Sequence, residues 1–126
     1  MGTWPCYVGF TVSQKAFKRE MERICPKQEV PFLGSSRANA TTHFLTKDGA
    51  TTAIIAMMSP KRAKVSFEQY AALVAHEAVH VAQQIWLDIG EKEPGKEAEA
   101  YFVQHIVQFC LQEAYKTGRC RRLIPA

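Results

Sequence analysis

From Phe67 to Leu87 the chain is almost continuously apolar or helix-favouring, and three polar residues, His76, Glu77 and His80, stand together in its middle. Their neighbours are Ala71, Leu73, Val74, Ala75, Val81, Ala82 and Ile85. A run this long excludes a strand and reads as a helix from Phe67 to about Leu87. Ser66 with Gln69 supplies a capping-box start, and Gly90 a stop. At 3.6 residues per turn His76 and His80 lie one above the other on one face, with Glu77 rotated by about 100°.

The rest of the chain arranges itself around that helix. Ser13 to Ile24 has helical spacing at Ala16, Phe17, Met21 and Ile24, with Ser13 alone, or Thr11 with Gln14, to cap it. Pro26 to Ala40 is the most loop-like stretch. Thr41 to Thr46 and Ala50 to Met58 are β-prone and flank Lys47-Asp48-Gly49, whose Asp-Gly step favours a tight hairpin. Trp4 to Phe10 is a further strand candidate, restricted by Pro5 and Gly9 to a sheet edge at best. Pro60 and the cationic residues after it break the second hairpin strand. Glu91 to Gly95 reads as a connection, and Lys96 to about Lys116 as a last helix closed by Gly118. The expectation is an α+β fold: a helix, a small antiparallel hairpin or sheet, and two further helices, in a single domain over residues 1–126.

Two imidazoles on one helix face with an adjacent carboxylate are a metal-ligating pattern. Zinc suits it, because it accepts imidazole nitrogen and carboxylate oxygen tetrahedrally and a catalytic site keeps one position for water. His76 and His80 are the candidate ligands. Glu77 is the candidate general base, taking a proton from a metal-activated water and passing it to the leaving amine of a peptide bond. The competing reading is that the histidines are buried core residues bonded to backbone. Three polar residues interrupting an apolar helix argue against it, since burying them unpaired costs a few kcal/mol each.

A third ligand must come from elsewhere, and no histidine follows His80 at short spacing. Glu97 and Glu99, in the first turn of the last helix, are the candidates, and only one can face the ion because residues two apart point about 200° apart. Glu97 aligns with Gln104 and Gln108 in a polar line, beside an apolar line of Ala98, Phe102, Ile106 and Phe109. Glu99 aligns with Glu113, a pairing expected at a solvent edge.

HEAVH on one helix followed by Glu97-Ala98-Glu99-Ala100-Tyr101-Phe102 on the next resembles the Glu-zincin branch of zinc metallopeptidases, in which a glutamate completes the site. It is similar in particular to small ImmA/IrrE-like and phage-encoded metallopeptidases. The resemblance covers about the last 60 residues, and Tyr101 replaces the Asn of that pattern. It implies a minimal zincin-like fold, Glu97 as third ligand, and a zinc-dependent peptidase acting on a protein or peptide. Tyr101 and His105 are candidates for stabilising the oxyanion, Tyr101 also fitting a packing role, and His43 is a weaker candidate. In such families an edge strand holds the substrate backbone, and Ala50 to Met58 is the candidate here, a purely structural strand being the equal alternative. The alternative is a catalytically weak zinc-binding regulatory protein of the kind phages encode.

Composition bounds these readings. The net charge of +4 arises from 16 Lys and Arg against 12 Asp and Glu, with clusters at Lys61, Arg62 and Lys64 and at Lys116, Arg119, Arg121 and Arg122. They read as solvated surface and a frayed basic tail, so nucleic acid is not an expected partner. A nucleic-acid module with a structural zinc fits poorly, because structural sites take four protein ligands. Cys6, Cys25, Cys110 and Cys120 form no CxxC pair and most are expected as reduced thiols, Cys110 as a small hydrophobe in the last helix. No secretory signal is visible, and the longest apolar run, Ala53 to Met58, is far below the roughly 20 residues of a membrane span. The expected location is the cytoplasm.

Overall fold

The computed structural model describes residues 6–34, 39–47, 50–88, 95–116 and 121–123. Along the chain these form β1 (Cys6–Thr11), α1 (Gln14–Ile24), β2 (Ala40–Lys47), β3 (Ala50–Met57), α2 (Pro60–Ala63), α3 (Phe67–Asp88), α4 (Lys96–Ala114) and β4 (Arg121–Leu123). The α+β class holds, and the long helices fall where their apolar periodicity and caps place them. Ser13 caps α1, its hydroxyl accepting from the Ala16 N–H at 3.0 Å. At the start of α3 the capping box closes both ways: Gln69 N–H donates to Ser66 Oγ at 3.1 Å, and Ser66 N–H donates to Gln69 Oε1 at 3.0 Å. The expected stops Gly90 and Gly118 lie outside the described residues.

The hairpin is present, with Lys47 opposite Ala50, so Asp48 and Gly49 are its whole connection; the two lie outside the described residues. The sheet order is β2-β3-β1-β4, and this corrects three expectations. The first strand is internal rather than an edge, parallel to β3 on one side and antiparallel to β4 on the other. It begins after Pro5, so every residue from Cys6 keeps its N–H, and Gly9 pairs on both sides, with Ile54 and Arg122. The sheet is therefore mixed, not purely antiparallel. Second, Arg121 and Arg122 belong to β4, where the sequence suggested a frayed tail; pairing with Gly9 and Phe10 holds their backbone. Third, β3, the strand expected to receive a substrate, has both edges occupied by β2 and β1, so its hydrogen-bonding groups are already used. Helix α2 is an addition: Pro60 does end the strand, but as the first residue of a helical turn capped by Ser59.

Alternation along β3 divides the core. Ala53, Ile55 and Met57 pack with Val8 and Phe10 of β1 against Tyr70, Val74, Ala78, Val81 and Ile85 of α3 and Ile106, Cys110 and Ala114 of α4. Ile54 and Ala56 face the other way, onto Phe17 and Met21 of α1. Burial on both faces explains the unbroken apolar run from Ala53 to Met57 in β3. Val30, Phe32 and Leu33, in the stretch read as loop, close the second layer. Helix α3 contacts the β2 side of the sheet, while α4 contacts β1 and β4.

Candidate metal centre

His76, Glu77 and His80 all project from the middle of α3, and their ligand atoms lie within 4.8 Å of one another. Burial separates their roles. The core stripe of α3 runs Tyr70, Val74, Ala78, Val81 and Ile85, and Glu77 falls within it, only 6% exposed. Both histidines are exposed, on the flank of the helix next to Glu77. The competing reading of the histidines as buried core residues does not hold, and the desolvation argument applies to Glu77 alone: a charge kept in a core stripe needs a compensating interaction.

The histidine rings stand 4.7 Å apart at 77°, with Nε2 to Nε2 at 3.1 Å. Two imidazole nitrogens bound to one zinc at about 2.0–2.1 Å and a tetrahedral angle stand about 3.3 Å apart. The observed spacing also suits a hydrogen bond from one ring N–H to the other ring's lone pair. The pair is therefore arranged to hold either a proton or a metal cation between its nitrogens. With the Glu77 carboxylate beside them, the donor set fits a divalent metal, and the group can hold one.

Helix α4 runs antiparallel to α3. The rings of Tyr70 and Tyr115 are 6.2 Å apart near one end of the pair, and those of Trp86 and Phe102 are 6.0 Å apart near the other. The first turn of α4 consequently stands nearer the C-terminal end of α3 than His76 and His80 do. Glu97 is exposed and Glu99 half-buried in that turn, and neither belongs to the three-residue cluster. The expected solvent edge is reversed: Glu113 is 8% exposed, whereas Glu97, Gln104 and Gln108 are on the outside.

Tyr101 is 65% exposed, so the packing role considered for it is not taken up. His105 is also exposed. His43 is engaged elsewhere, its Nε2 lying 2.8 Å from the Phe32 carbonyl and its ring 4.8 Å from that of Phe17, which ties β2 to the segment after α1. Of the cysteines, Cys110 is fully buried in the core as expected, and Cys25 is a half-buried free thiol. No described helix is long and apolar enough to cross a membrane. Comparison with protein-family models, curated proteins and solved structures yields no match.

Proposed function

We propose that the chain is a zinc-dependent metallopeptidase. The observation that carries this reading is the pairing of two exposed imidazoles, Nε2 to Nε2 at 3.1 Å, with a carboxylate buried beside them on the same helix. His76 and His80 hold the ion. A bound zinc supplies Lewis acidity toward a peptide carbonyl and lowers the pKa of a water to about 7. With zinc held there, Glu77 would serve as general base, its carboxylate accepting a proton from water at the site and passing it to the leaving amine nitrogen. Burial of Glu77 restricts its rotamers and keeps the carboxylate beside the two rings, so little reorientation is needed at the moment of transfer.

Glu97 completes the ligand set in this reading, with Glu99 the alternative. Because neither stands in the cluster, the reading entails an approach of the first turn of α4 toward His80 when metal binds, a coupling of ligation to folding that metal sites commonly use. Tyr101, exposed in the second turn of α4, moves with it and serves as donor to the oxyanion. Since β3 is internal, an extended substrate is received instead on β2, the edge strand that α3 contacts. The test is Glu77→Gln. Peptidase activity on a casein or peptide-library substrate should fall by about 10²–10⁴-fold with zinc content unchanged. Equal turnover by the variant and the parent chain removes the peptidase reading.

A second reading, a zinc-binding regulatory protein with little turnover, is favoured by the exposure of both histidines and the absence of an α4 carboxylate from the cluster. It requires zinc to bind stoichiometrically and Glu77→Gln to leave the cellular effect intact.

A further inference from the structure

Cationic residues some fifty positions apart in sequence, Lys61, Arg62 and Lys64 on one side and Lys116 on the other, are brought to one end of the α3–α4 pair. Antiparallel packing of α3 and α4 sets Phe67, at the start of α3, against Tyr115, just past the end of α4, with ring centroids 6.1 Å apart. Both rings are open to solvent, Phe67 at 58% and Tyr115 at 55%. Lys64 precedes Phe67 by three residues, no more than about 11 Å of chain. Lys116 directly follows Tyr115.

Helix α2 packs against α3 and brings in Lys61 and Arg62. Lys61, Arg62, Lys64 and Lys116 are all exposed. The described carboxylates in these segments are Glu68, at the surface, and Glu113, which is buried. The positive sign therefore prevails. Nine residues separate Phe67 from His76, placing them about 180° apart around α3 and about 13 Å apart along its axis, so this surface is separate from the metal centre.

We propose that this end of the molecule binds single-stranded nucleic acid, with Phe67 and Tyr115 as a stacking platform for bases and the surrounding cations as contacts to phosphates. Charge complementarity selects a polyanion. The exposed aromatic pair selects one with unstacked rings, because a base presents a π-face whatever its identity, while an acidic peptide or a duplex offers none to stack. The other large exposed hydrophobics, such as Leu87 and Val79, are not set among clustered cations.

The experiment is fluorescence anisotropy of the full chain with labelled 15-mers of uridylate and of thymidylate, the two arms separating RNA from DNA. Four phosphate contacts weaken single-strand binding about 50-fold between 50 and 200 mM salt. Phe67→Ala and Tyr115→Ala should each weaken it by about tenfold, and Tyr115→Phe should restore it, because the ring and not the hydroxyl is used. Melting of each variant, followed by circular dichroism, separates loss of the surface from loss of the fold. Lys61→Glu with Lys116→Glu should weaken binding strongly, and Lys15→Glu, on α1, should not. His76→Ala should leave binding intact, which keeps this test independent of the peptidase reading. Absence of binding at 50 mM salt overturns the proposal. So does binding that the folded Phe67→Ala and Tyr115→Ala proteins retain in full, or equal affinity for polyglutamate or for a blunt duplex.

Discussion

Helices α3 and α4 are similar in length and pack side by side, yet among the described residues the groups that come together and could hold a metal all belong to α3. Within α3 the four-residue spacing of His76 and His80 leads to a 3.1 Å nitrogen separation with no help from the rest of the fold. Glu97 and Glu99 have equally suitable chemistry, but their distance to the histidines depends on how far α3 continues past His80 and how the two helices slide against each other. Aromatic contacts at both ends of the pair set that slide. Spacing along one helix is a local property, whereas spacing between two helices is a packing result.

The sharpest way to break the comparison is to remove a ligand from α3. His76→Ala or His80→Ala should reduce zinc affinity by more than about 100-fold, since even residues that only orient a ligand cost 10–100-fold. Metal content after dialysis, measured by atomic emission, checks this, and full retention in both variants refutes the centre. A smaller effect is expected on α4. Glu97→Ala should lower zinc affinity by at least about tenfold and Glu99→Ala by much less; equal retention in the two removes α4 from the ligand set and leaves the chemistry to α3 alone.

The smallest effect concerns the interface between the two helices. Burial, and secondarily the nearby Glu113, pushes the Cys110 thiol well above its ordinary value of 9.0. Burial, followed by Tyr115 and Cys110, does the same to the Tyr70 phenol, ordinarily at 10.0, whose hydroxyl donates to the Met58 carbonyl at 2.9 Å. Both groups bind their proton more tightly folded than unfolded. The stability this confers is fully present below the unfolded values and declines as pH rises beyond them. Denaturant unfolding should thus give constant stability from these groups up to about pH 8, then a loss of up to about 1.4 kcal/mol per pH unit per group. Cys110→Ala should flatten the part of that loss that begins near pH 9. An unchanged profile would mean that the thiol ionises without unfolding.

Legibility in the sequence followed the same division. The capping box at Ser66, the extent of α3 and the presence of the hairpin were readable because each depends on residues within a few positions of one another. The inner position of β1 was not, because Gly9 and Pro5 weaken a strand locally while pairing on both sides strengthens it through residues more than forty positions away. The surface made by Phe67 and Tyr115 was hidden for the same reason: each cationic cluster alone resembles an ordinary solvated segment.

What the sequence by itself determined is the helix bearing His76, Glu77 and His80, since an apolar period and a four-residue spacing leave no other way to present those groups together. What only the tertiary structure decided is which of them is buried, which strand is a free edge, and which distant charges become neighbours. Glu77 is enclosed and its histidines are open because the sheet and α4 cover one side of α3 and not the other. Packing chooses the covered side by apolar area, which is summed over the whole molecule and is therefore invisible in any single stretch of chain.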